Sequence, residues 1–396
     1  MSGNKESNLK YVPEKFKTRE LYEFAVSKNG NALQFVPNEF KDKNMYFLAV
    51  NNNSLMLKLT PKEFKTEELC KIAVSKNGNA LEFVPHEFFT EELCKIAVLN
   101  NGTSLKFVPE EFITEKLSND AVQQNGIAIY FVPEEFITKD LCKIALSQYS
   151  EILSFIPEEF LDKSMYEFAV KENGASLEDV PDKFITKELC LIAVLQKNSG
   201  IDFVPKKFLT KELCDIAIAY NGENILSFPE RFMTKEIYHL AVSSSGSIIE
   251  FVPKKFLTEE LCRKAVSQNG ISLQFVPENM ITEELCRLAV IVDGYAIRYV
   301  PEEFRTEKLY NLAVASYALS LEFVPNEYKT KELCHYAVSQ QGLALKYVPK
   351  EYLSSELYTI AVSQDKNAFK LVPDEFKTEQ LCYIALQNFR NEIPEF

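Results

Sequence analysis

The sequence predicts an all-α fold: an elongated α-solenoid of sixteen 24-residue repeats, each one α-helix plus one short α- or 3-10 helix. Three observations carry that expectation. Sixteen prolines recur at an unbroken 24-residue spacing, from Pro13, Pro37 and Pro61 through to Pro373. A helix-capping Thr, Asp or Ser stands five residues after every one of them, and alanine stands twelve residues after every one. A fixed period of this kind marks stacked units, each of which buries its apolar face only against its neighbours.

The elements follow in order along one unit. The turn that opens each repeat, such as Pro85-His-Glu-Phe88, ends on an aromatic anchor. Proline suits the first position of such a turn, because its missing N–H would have no partner there. In the repeat opening at Pro61, Thr66 is a helix N-cap, and Glu67 and Glu68 follow where carboxylates favour the positive end of the helix dipole. Thirteen repeats cap with Thr, and the others use Asp42, Asp162 and Ser354. Leu69, Ile72, Ala73 and Val74 fall at helical spacing, so one stripe of the helix is expected to be buried. Asn77-Gly78 ends it, and the glycine, kept in ten repeats, is expected to take the left-handed conformation of a C-cap. Ala80-Leu81-Glu-Phe83-Val84 then has room for a turn or so of helix. The alanine column, from Ala25 to Ala385, reads as a packing requirement, since a larger side chain would push neighbouring helices apart. Sixteen layers at roughly 8–10 Å predict a curved rod of about 130–150 Å.

The expected organisation is a polar N-terminal tail at 1–8, one continuous solenoid over 9–390, and a C-terminal end at 391–396. Pro394 falls 21 residues past Pro373 and so breaks the spacing. The formal net charge of −13 disfavours a surface that neutralises phosphates or lies on anionic lipid, so neither nucleic acid nor membrane is an expected partner. The start, Met1-Ser-Gly-Asn-Lys-Glu-Ser-Asn8, lacks the apolar core of a signal peptide, and cytoplasmic residence is expected.

All nine cysteines, from Cys70 to Cys382, fall nine residues after a repeat proline, where the other repeats place Tyr or Ser118. Equivalent positions in stacked repeats lie about one helix spacing apart, beyond the roughly 7 Å Cα limit for a disulfide. Metal ligands must converge, and these are strung along a line. They read as small buried hydrophobes in a reducing compartment.

The run Asn77-Gly78-Asn-Ala80-Leu81-Glu-Phe83-Val84-Pro85, followed by Glu91-Glu92-Leu93 and Ala97-Val98, resembles an uncharacterised family of 24-residue helical repeats. That family is found in large bacterial, effector-like proteins and in giant-virus proteins, and the unit is also similar to leucine-rich-repeat-variant solenoids. The resemblance implies an α-solenoid with a binding role, and for an effector-like protein a host cytosol as the place of action. It brings no activity and no catalytic residue.

Ordered variation between repeats points to a candidate surface. Four residues after each proline, nine consecutive central repeats are apolar: Phe89, Ile113, Ile137, Leu161, Ile185, Leu209, Met233, Leu257 and Ile281. Basic residues dominate the same column at both ends, as at Lys65, Arg305 and Lys329. An exposed apolar stripe of that length would mark a protein-interaction surface. The competing reading is a hydrophobic staple, each residue packing on the cysteine or tyrosine at the fourth helical position. Asp120, Asp179 and Lys264 stand in otherwise apolar columns, which requires exposure or pairing.

Catalytic chemistry has no foothold. The three histidines, His86, His239 and His335, fall in separate repeats, and no triad, metal spacing or phosphate-binding glycine loop occurs. The expected function is a non-enzymatic protein-binding scaffold using the central stripe, without a cofactor. Two alternatives differ in kind: an acidic decoy for a nucleic-acid-binding groove on another protein, and a structural rod that associates with itself.

Overall fold

A computed structural model describes residues 8–196 and 200–387, with backbone alone at Ser150. Of the expected tail at 1–8, residues 1–7 lie outside the described residues, as does the end at 391–396, while Asn8 belongs to a 3-10 turn, Asn8–Tyr11. Among the described residues the chain forms sixteen α-helices, each flanked by 3-10 elements, and no strand. The fold is an all-α solenoid. It divides into two compact units, one of the described residues up to Phe203 with Leu386 and Gln387, the other Val204–Ala385.

The repeat opening at Pro61 shows the plan: a 3-10 turn Lys62–Phe64, an α-helix Glu67–Lys76 and a six-residue 3-10 helix Gly78–Phe83. Thr66 is extended, and its hydroxyl oxygen accepts the Leu69 N–H at 3.2 Å, so one of the free donors of the first turn is satisfied. Asp42, Asp162 and Ser354 do the same in their repeats. Leu69, Cys70, Ala73 and Val74 are buried, and Ile72 lies at the edge of that stripe. Proline sits one place earlier than expected. Pro61 precedes the 3-10 turn as an extended residue (φ −56°, ψ 152°), and its carbonyl accepts the Phe64 N–H at 3.0 Å. Its fixed φ aims the chain into the turn, and no helical hydrogen bond is lost.

The glycine after each long helix has a different role from the one the sequence suggests. Among the described residues no glycine and no other residue has positive φ, so no left-handed C-cap exists. The helix ends instead at Asn77, which is extended (φ −151°, ψ 108°), donates its N–H to Ala73 and accepts the Asn79 N–H on its side chain at 3.0 Å. Asparagine therefore closes one helix and caps the next. Glycine is needed because the following repeat comes too close. A β-carbon on Gly126 would stand 2.8 Å from the carbonyl oxygen of Ala145, and the same glycine–alanine contact recurs at Gly30, Gly78, Gly102, Gly222, Gly246, Gly270, Gly294 and Gly342.

Side chains complete that junction. Fifteen residues after the proline, at the last turn of the long helix, many repeats place an Asn, Gln or Ser, and several of these reach back to the preceding repeat. Asn100 accepts the Gly78 N–H on Oδ1 at 2.8 Å and donates Nδ2 to the Ser75 carbonyl at 3.0 Å. Asn52 does the same for Gly30 and Ser27, and Gln364 for Gly342 and Gln340. Each such clamp satisfies a carbonyl left free at a helix C-terminus and an N–H left free at the next helix start.

The cysteine column is buried at all nine positions. Where tyrosine replaces cysteine, its ring packs on the aromatic anchor of the following repeat, as in Tyr46–Phe64 (5.4 Å between centroids), Tyr166–Phe184 (5.5 Å) and Tyr310–Tyr328 (5.6 Å). Burial pushes the thiols of Cys70, Cys94, Cys142, Cys214, Cys262, Cys286 and Cys334 up to about 11, so the column holds thiols and not thiolates.

Candidate binding surface

The nine residues of the apolar stripe are not freely exposed. Leu257 is buried at 8%, and Phe89, Ile113, Ile137, Leu161, Ile185, Leu209, Met233 and Ile281 are each half-buried. The basic residues of the same column show what it faces. Lys65 donates Nζ to the carbonyl of Phe83 at 2.8 Å, and Lys329 donates to the carbonyl of Tyr347 at 3.0 Å. Arg305 instead donates to the carbonyls of Val300 (2.8 Å) and Arg298 (3.2 Å), so the column lies between the ends of two successive 3-10 helices. A cation there is accepted because a backbone oxygen awaits it.

That 3-10 helix carries a second row, some of whose members are exposed. With three residues per turn, Gly78, Leu81 and Val84 share its buried face, and Phe83 is left on the flank. The position two residues before each proline is half-buried in most repeats and exposed at Leu59, Phe155, Asp179 and Phe251. In the first unit it runs Phe35, Leu59, Phe83, Phe107, Phe131 and Phe155; in the second it runs Phe251, Phe275, Tyr299, Phe323, Tyr347 and Leu371. Phe155 is 40% exposed and Phe251 48%. Asp179 and Ser227 interrupt the row between these two series. At Ser227 the aromatic has moved one residue on, and Phe228 is buried in the place of the usual valine.

In several repeats the residue just before the row member bridges to the next repeat. Tyr130 meets Phe155 edge-on at 4.6 Å, and Lys106 lies over Phe107 at 4.6 Å and Phe131 at 6.0 Å. Arg298 lies over Tyr299 at 5.1 Å and Phe323 at 5.8 Å. Aromatic rings joined by cations form a surface that is apolar yet wet, the character of residues that dominate protein interfaces. Between successive rungs in the second unit lies a groove of about 610 Å³ lined by Ile249, Val252, Leu257 and Phe275, so the stripe residue Leu257 forms part of its wall. The sequence signal for this row was the aromatic before Val-Pro in most repeats, but period alone did not show it to be exposed.

The polar residues in apolar columns are resolved by exposure. Lys264 and Asp179 are exposed and Asp120 is half-buried, so none is a sealed charge. Lys264 shares a groove of about 510 Å³ with His239, Glu260 and Arg263, and Arg263 is paired with Glu284 at 2.9 Å. Among the described residues no group of three or more His, Cys, Asp or Glu could hold a metal ion, and no helix is long and apolar enough to cross a membrane.

Fold and surface together define a helical-repeat solenoid. A family model described as a domain of unknown function (DUF4116) matches residues 3–41, 18–65, 42–89, 66–113, 116–161, 234–281 and 258–305. These matches cover more than half of the chain, which belongs to that family. No curated protein and no solved structure matches it.

Proposed function

We propose that the chain is a non-enzymatic, cytoplasmic protein-binding scaffold whose contact surface is the aromatic row at the ends of the 3-10 helices. The observation that carries this reading is the aromatic or leucine residue, half-buried or exposed and never buried, at successive repeats in each unit. A core column would be buried throughout, and no member of this row is. The half-buried stripe from Phe89 to Ile281 contributes the groove wall behind the row. Buried, un-ionised cysteines suit a reducing compartment.

Asp179 is a natural occupant of the row, so aspartate substitutions are compatible with the fold. Phe107→Asp with Phe131→Asp, and Phe275→Asp with Phe323→Asp, remove the row from each unit in turn. Partners cross-linked to the natural chain in source-cell extract should be lost from at least one folded double variant. Partners kept by both variants would place the contact elsewhere. Turnover of a substrate abolished by a single substitution would overturn the non-enzymatic reading. An acidic decoy would bind in a salt-sensitive way, whereas contact through the row should persist at high salt. Self-association would appear as a solution mass above the 45.4 kDa of one chain.

A further inference from the structure

We propose that Asn269-Gly270 is a spontaneous modification site, where Asn269 deamidates in the folded protein because its repeat lacks the side-chain clamp on the glycine N–H. The chain contains seven Asn-Gly pairs. In five of them the glycine N–H is held by the next repeat: by Asn52 at Gly30 (2.7 Å), Asn100 at Gly78 (2.8 Å), Gln148 at Gly126 (2.8 Å), Ser244 at Gly222 (3.1 Å), and Gln124 at Gly102. Opposite Gly174, the amide of Gln196 is turned onto the Ile192 carbonyl of its own helix. Opposite Gly270 stands Val292, which has no acceptor, and among the described residues none replaces it. Val292 is 38% exposed, so solvent reaches the edge of this junction.

Deamidation begins when the Gly270 nitrogen, its proton passed to hydroxide, attacks the side-chain carbonyl carbon of Asn269. The N–Cγ bond forms, the Cγ–Nδ2 bond breaks, and ammonia leaves with a proton from water. Water then opens the resulting five-membered imide at either carbonyl, leaving aspartate or isoaspartate; nothing is oxidised or reduced. Ring closure rotates the Gly270 peptide plane away from the native Asn269 ψ of 104°. Any hydrogen bond held by that N–H must break first, so a clamp opposes the reaction and valine does not. The bond from Ile271 N–H to Asn269 Oδ1 (3.1 Å) has counterparts in the clamped pairs and does not distinguish them. The product alters a tight junction, since isoaspartate lengthens the backbone where Gly270 meets the Ala289 carbonyl.

The full chain would be held in mildly alkaline buffer and each Asn-Gly pair followed by peptide mass spectrometry with isoaspartate detection. Asn269 should convert about fivefold faster than Asn77, the factor one neutral hydrogen bond contributes to a local opening equilibrium. Val292→Gln should bring Asn269 down to the rate of Asn77, and Asn100→Val should raise Asn77 to that of Asn269. In denaturant the difference should disappear. Equal rates at Asn269 and Asn77 in the folded chain would overturn the proposal, as would a folded Val292→Gln chain that ages unchanged. If Val292→Gln does not fold, an Asn77 rate indifferent to Asn100→Val overturns it equally, because valine already occurs at that position.

Discussion

The carbonyl oxygen of Ala265 lies 2.5 Å from the place a β-carbon on Gly246 would occupy. The glycine of one repeat is therefore fixed by the backbone of the next at its alanine position. Gly246→Ala should force the two backbones apart and destabilise the chain by about 1–3 kcal/mol, the usual cost of overpacking. Urea titration followed by circular dichroism measures it. An unchanged midpoint would mean the junction yields freely.

The clamp gives a separable prediction. Asn100→Ala leaves the Gly78 N–H and the Ser75 carbonyl without their partner, which should cost about 1–3 kcal/mol. Hydrogen exchange should report the loss locally, with the Gly78 amide losing protection while amides several repeats away keep theirs. A uniform loss along the chain would point to global unfolding instead.

Lys329 is 9% exposed, and burial lowers its pKa below the ordinary lysine value. Below the lowered value both states are charged, and the folded chain bears the full cost of a buried ammonium. As pH rises from there towards the ordinary value, the folded state sheds its proton first and this cost is relieved. Lys329→Leu, a residue the column already carries at Leu257 and Leu353, should remove the cost and stabilise by up to about 1 kcal/mol. A lower melting temperature for this variant would show that the bond to the Tyr347 carbonyl outweighs burial.

The cysteines predict the opposite sign. Their folded pKa values of about 11 lie above the ordinary thiol range, so the native state keeps protons that the unfolded chain gives up. Stability should be unaffected by these groups below that range and fall as pH rises through it towards 11. Replacing Cys94 and Cys142 by alanine should flatten the fall, as read from denaturation midpoints across alkaline pH. A thiol reagent should label the native chain slowly and the denatured chain at once.

Much of this was legible in the residues themselves. The Thr66 cap, the Leu69–Val74 stripe and the length of the long helix follow from local chemistry that each repeat states again. The role of glycine was not legible, because a left-handed cap and a close backbone approach both exclude a β-carbon and leave the same mark. The clamp was hidden for a related reason. Asn100, Gln124 and Ser244 look like the solvated end of a helix until the preceding repeat is placed beneath them. For the Phe89–Ile281 column the sequence left a contact surface and a packed staple both open, because apolar character does not say which face is covered.

By itself the sequence determined the period, the helices and the caps, since these depend on contacts within a few residues and on a pattern repeated sixteen times. Tertiary structure alone decided which columns meet across repeats. It set Gly246 against Ala265, left the Phe89–Ile281 column half-buried, and exposed the Phe155 and Phe251 positions to water. Such contacts join residues about 20 apart in sequence, and only the stacking geometry of one repeat on the next brings them together.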